Sequence, residues 1–99
     1  MPPTSPPATR SRRLPVYVVL LESAAERSLR RLDSSVFRRV GSALRSLADN
    51  PRPHGCRKLT GSHRDWRIRV GDYRIVYEID DDVREVRVMR IRHRREVYR

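Results

Sequence analysis

The chain divides by its apolar spacing. "VYVVLL" (residues 16–21) is an unbroken apolar run, rich in β-branched residues and bounded by Pro15 and Glu22. Such a run predicts a buried strand. The spacing then changes. "SAAERSLRRL" starts at Ser23 and puts Ala25, Leu29 and Leu32 on one helical face. Ser23 with Glu26 three residues on predicts a capping box. Asp33 or Ser34 is placed to cap a second helix, in which Val36, Phe37, Val40, Ala43, Leu44 and Leu47 follow the 3.6-residue period. "DNPRPHG" (49–55) ends it with two prolines and a glycine. With almost no loop between them, the two helices should form an antiparallel hairpin.

Period-2 spacing takes over after residue 64. In "DWRIRV", Trp66, Ile68 and Val70 share one face and Arg67 and Arg69 the other. Gly71-Asp72 suits a two-residue type II′ turn. In "YRIVYEI", Tyr73, Ile75, Tyr77 and Ile79 fall on the core face, with Arg74 and Glu78 opposite and Val76 between them. The acidic turn Asp80-Asp81-Asp82 leads into "REVRVMRI". There the alternation breaks, because Val86 and Val88 oppose Met89 and Ile91. A bulge or burial on both faces accounts for the break. Trp66 and Phe37 read as core. The expected fold is α+β, in the order β-α-α-β-β-β, with the helical hairpin on one face of a small, mostly antiparallel sheet. Residues 1–13, "MPPTSPPATRSRR", have no apolar period and read as a disordered extension of a domain spanning 14–99.

Charge narrows the class of function. The net charge is +11, and Lys58 is the only lysine among 23 basic residues. Such a chain attracts polyanions, and arginine forks onto phosphate. Cys56 is the single cysteine, so no internal disulfide forms and a reducing cytoplasm fits. The apolar run is too short to span a bilayer, so no membrane partner is expected. Arg12-Arg13 before it does not make an export signal, because removing the run would delete a core strand. His54, Cys56 and His63 match no zinc spacing, and Asp80–Asp82 reads as a charged turn. Neither a metal nor a cofactor is expected.

Arg67 and Arg69 point the same way on one strand, and Arg74 lies across the tight turn from them. Clustered like charges favour a bound anion. A solvated face partly paired with Asp65, Glu78 and Glu85 fits the spacing equally well. The end of the chain, "RIRHRREVYR", adds His93, a residue type that can hold or release a proton, and Tyr98, a donor able to stack on a base. RNA cleavage needs a base, positive charge on the phosphate and an acid. This stretch carries residue types for all three.

"CRKLTG", "WRIRVGDYRIVYEIDDD" and "RIRHRREVYR" together resemble the RelE family of bacterial toxins, within the RelE/ParE group. The resemblance runs from about Val16 to the end of the chain. The terminal "HRREVY" resembles the RelE side more than ParE-type gyrase poisons. It implies a type II toxin that cuts mRNA in the ribosomal A site by attack of the ribose 2′-hydroxyl. By resemblance, Arg74, His93, Arg94 and Tyr98 are expected to be catalytic. Arg67 and Arg69 would hold RNA, with Lys58, Arg92 and Arg95 adding contacts. The implied partners are a cognate antitoxin, the ribosome with mRNA, and operator DNA through the antitoxin. Some members carry lysine where this strand has Arg67 and Arg69, and arginine is a poor base. That leaves the base open between His93 and a site working by positioning and charge. A ParE-like gyrase inhibitor and an inactive nucleic-acid- or antitoxin-binding module are the alternatives.

Overall fold

The computed structural model describes residues 16–61 and 64–97. The expected extension 1–13, His63 and Tyr98 lie outside the described residues. The elements are β1 (Val18–Leu21), α1 (Ser23–Arg30), α2 (Ser34–Asp49), β2 (Arg57–Lys58), β3 (Asp65–Val70), β4 (Tyr73–Asp80), β5 (Glu85–His93) and the short α3 (Arg94–Val97). They form one five-stranded sheet in the order β1-β5-β4-β3-β2. β1 runs parallel to β5, and every other pair is antiparallel. The α+β class and the mostly antiparallel sheet are as the alternation predicts. β2 and α3 are additions, too short to leave a periodic signal.

Ala25, Val40, Leu44 and Leu47 of the helices close over Ile68, Ile75, Tyr77, Ile79, Val86, Val88 and Ile91 of the sheet. These strand residues follow the predicted period, and the break in β5 is a bulge. Val76 pairs with Arg90 and Tyr77 with Val88, so Met89 is the extra residue. The shift carries Ile91 onto the same side as Val86 and Val88, all three at most 3% exposed. Gly71 has φ 59°, and among the described residues only Arg84 is a non-glycine with positive φ. That leaves Gly71 alone in the left-handed region at its hairpin, as a type II′ turn requires.

Three expectations are corrected. The first strand is shorter than 16–21 and lies at an edge, so Val16 (46%) and Val18 (59%) are exposed. Asp33 does cap α2, accepting from the Val36 N–H at 3.3 Å, but the Ser23/Glu26 capping box does not form. The β1 ladder runs on through Glu22 N–H to the Val88 carbonyl, which moves the cap position back to Glu22. The Glu22 side chain bonds Arg87 at 2.9 Å, and Glu26 pairs with Arg30 at 2.8 Å. Phe37 stands at the margin of the α2 stripe and is 46% exposed. Trp66 is half-buried against the core, with the Arg52 guanidinium 5.1 Å above its ring.

Arg52 belongs to a polar lock at the acidic turn. It reaches Asp81 with both terminal nitrogens (3.3 and 2.9 Å), and the Tyr17 hydroxyl donates to the same carboxylate at 2.5 Å. The hydrogen bonds from Arg52, then from Tyr17, hold the Asp81 carboxyl below its usual range. A carboxylate with a depressed folded-state pKa stabilises the fold above its unfolded value and loses that contribution as pH falls through the folded one. Asp81→Asn should therefore lower the melting temperature at neutral pH. The gap to wild type should close as pH falls below about 3.8. Melting curves taken across the acid range check this, and a gap independent of pH contradicts it.

Candidate nucleic-acid interface

The sheet register sorts the outward-facing residues into rows across the strands. Cross-strand partners share a face, and alternate rows lie about 7 Å apart. At the Gly71 end, one row reads Arg69, Arg74, Arg92. The next reads Arg57, Arg67, Val76, Arg90. Beyond it come Asp65, Glu78, Arg87 and Leu20, then Asp80, Glu85 and Val18. Six arginines thus occupy two adjacent rows, and four carboxylates occupy the two rows behind them.

Arg74 sits at the centre. It is the one buried charged residue among those described, at 7% exposure. Its side chain is engaged by its surroundings. Two hollows meet at Arg74. One, about 50 Å³, is lined by Arg69, Gly71, Asp72, Arg74 and Arg94. The other, about 210 Å³, is lined by Arg67, Arg74, Arg90 and Arg92 with the apolar Leu59 and Val76. A guanidinium fixed between two such hollows is arranged for a phosphodiester, with charge on both sides and an apolar wall for the sugar or base.

The hairpin that carries Arg69 and Arg74 is fastened from both layers. The Arg94 backbone N–H donates to the Asp72 carbonyl at 2.7 Å. From α2, Arg39 covers the turn so closely that a Cβ on Gly71 would lie 3.0 Å from its Nη2. The end of that exposed arginine can give way, so it is the positive φ that requires Gly71.

The structure brings Arg67, Arg69, Arg74 and Arg92 onto one face, with Arg94 at its end. Lys58 is not with them. It pairs with Trp66 on the helix-covered side, beside Arg52, Arg64 and the acidic turn. A one-residue offset in a strand reverses the face, so Arg57 takes the place expected of Lys58. His93 likewise pairs with Tyr73, not with the arginine rows. Its ring meets Tyr73 edge-on at 5.1 Å, and its Nδ1 accepts from the Arg95 N–H at 3.2 Å. The neutral ring then carries its proton on Nε2. Arg95 lines the open surface shared by Asp72, His93 and Arg94. Sequence reasoning missed Arg57 and Arg90. Arg90 becomes legible once the bulge is put at Met89, because the shift fixes its face.

Among the described residues there is no cluster of three or more His, Cys, Asp or Glu that could hold a metal. Among them, too, no helix is long and apolar enough to cross a membrane.

Comparison with known proteins gives three findings. The family model described as the ParE toxin of the type II toxin–antitoxin system parDE matches residues 19–98. No curated protein matches the chain. Among solved structures, the isolated E. coli RelE toxin is 28% identical, covering 83% of this chain and 90% of its own, with a TM-score of 0.70. The toxin–antitoxin complex RelBE2 from Mycobacterium tuberculosis is 27% identical, covering 81% and 99%, with a TM-score of 0.70. The archaeal RelE–RelB complex from Pyrococcus horikoshii OT3 shares the fold at 24% identity, covering 80% and 96%, with a TM-score of 0.73.

Proposed function

The chain belongs to the ParE toxin family of type II toxin–antitoxin systems, within the RelE/ParE superfamily, and from that premise we propose that it is a ribosome-dependent mRNA endonuclease. The observation that carries this reading is the pair of arginine rows centred on the buried Arg74. A surface that only needed to be soluble gains nothing by burying a guanidinium between two others. A phosphate is the ligand that such a cluster of forked cations fits.

In the proposed reaction the ribose 2′-oxygen attacks the adjacent phosphorus. A 2′-O–P bond forms, the P–O5′ bond breaks, and a 2′,3′-cyclic phosphate and a 5′-hydroxyl result. Arg74, with Arg69 and Arg92 beside it and Arg94 at the row's end, stabilises the charge that builds on the phosphorane. Arg57, Arg67, Arg90 and Arg95 hold the flanking backbone. The leaving 5′-oxygen takes a proton from Tyr98. The Arg95 hydrogen bond at Nδ1 leaves His93 Nε2–H to donate a hydrogen bond, not a proton. The proton of the 2′-hydroxyl passes to water, because arginine is a poor base.

We assign the activity to residues 14–99 and to the cytoplasm, where the ribosome is. The partner is a cognate antitoxin, as in the RelE–RelB complexes that share this fold, and operator DNA is reached through it. Inducing the toxin and mapping transcript ends by primer extension tests the reading. Codon-phased cuts are expected, and intact mRNA in translating cells overturns it. One observation favours a second reading, DNA gyrase inhibition: the family model carries the ParE name. A supercoiling assay with purified gyrase decides it, and uninhibited gyrase at micromolar toxin removes it.

A further inference from the structure

Strand β5 holds one residue more than its partner. β4 has eight residues and β5 has nine. Without Met89, β5 would read Glu85, Val86, Arg87, Val88, Arg90, Ile91, Arg92, His93. That sequence alternates perfectly and meets Tyr73–Asp80 residue for residue, in the pairs already present. Deleting one residue from a strand ordinarily turns every later side chain to the wrong face. Here the deletion would complete the pattern. The core therefore does not require Met89. The fold carries a residue that interrupts a ladder its neighbours would close.

Where the interruption falls suggests its use. Met89 lies opposite the Val76–Tyr77 step, at the boundary between the arginine rows and the carboxylate rows. Beyond it the strand carries Arg90 and Arg92, which line the larger hollow with Arg67 and Arg74. A bulge bends its strand and increases the local twist. Bending β5 here changes the aim of those two guanidinium groups relative to Arg74 and leaves the earlier part of the strand, Glu85–Val88, in place. We propose that Met89 is a positioning residue: its bulge aims Arg90 and Arg92 at the RNA backbone. This rests on reading the arginine rows as an RNA-binding face.

The test uses the full chain and a fluorescently labelled single-stranded RNA of about ten nucleotides, a length that covers one binding groove. Anisotropy at low salt reads affinity, and thermal melting reads the fold. Deleting Met89 is expected to leave the melting temperature at or above wild type while weakening RNA binding by about tenfold. Met89→Ala keeps the residue count, so its affinity should equal wild type. A folded deletion variant that binds RNA like wild type overturns the proposal. Should the deletion variant not fold, Met89→Gly decides, because glycine loosens the bulge without shortening the strand. Weakened binding there supports the proposal and wild-type binding overturns it. Arg74→Ala run alongside separates the two layers of the argument. If it weakens binding and the deletion does not, only the bulge proposal falls. If neither weakens binding, the RNA-binding reading of the face falls with it.

Discussion

Arg74→Ala should lower ribosome-dependent transcript cleavage by at least about 100-fold, the loss expected when one preorganised donor to a developing oxyanion is removed. That corresponds to roughly 2.7 kcal/mol of transition-state stabilisation. Arg74 differs from its neighbours in being buried, and its guanidinium borders both hollows. A buried, fixed group needs no reorganisation when charge appears, whereas an exposed arginine such as Arg69 or Arg92 must be ordered by the substrate. Single replacements of Arg69 or Arg92 should therefore cost less cleavage than Arg74→Ala. Arg74→Lys should recover little of the loss, since one ammonium cannot reach into both hollows as a fork does. The alanine relieves like charge between Arg69 and Arg92 but empties a buried site, so folding is read separately. Primer extension with a melting curve on the same preparation checks this. Full cleavage by folded Arg74→Ala contradicts the assignment.

The second large effect is on stability. Tyr77 is the largest side chain with no exposure, and its hydroxyl donates to the Pro51 carbonyl at 2.8 Å. Burial, with Cys56 nearby, pushes its phenol well above the usual range, so it remains a donor at any working pH. One residue thus fills the centre of the core and fixes the loop after α2. Tyr77→Ala should cost about 3–5 kcal/mol, the range for emptying a large aromatic site. Net stabilities of domains are only about 5–15 kcal/mol, so the variant should lose a large share of its stability. Tyr77→Phe keeps the volume and leaves the Pro51 carbonyl without its donor. It should cost about 1–2 kcal/mol. Urea denaturation of the three proteins gives the order, and equal midpoints for Tyr77→Phe and wild type would contradict the role given to the hydroxyl.

Much of this architecture was legible where the chain keeps one period long enough. The alternations in Trp66–Val70 and Tyr73–Ile79 fixed both the core and the face that Arg67, Arg69 and Arg74 share. The failures have local physical causes. Arg57–Lys58 is two residues long, and two residues have no period, so nothing in the sequence says that Arg57, not Lys58, shares the arginine face. His93 was grouped with its basic neighbours because they are adjacent in sequence, whereas adjacency in a strand means opposite faces. Ser23 looked like a helix cap because nothing in the sequence says that the β1 ladder continues through Glu22. Arg74 was expected on an open face. Its burial depends on long neighbours in adjacent strands, and no single strand's pattern reports that.

The row arrangement has one more consequence. Its arginine rows stand at the Gly71 end of the sheet and its carboxylate rows, centre to centre, roughly 14 Å further along the strands. This face therefore carries a charge gradient along the strands, on a chain that is a cation overall. Near a polyanion it is turned as well as drawn in, so that the arginine end leads before any contact is made. Two chains of equal net charge would be captured equally often. The one with sorted charges would arrive facing the right way more often, and the orientational search is what holds most protein association rates far below the diffusion limit.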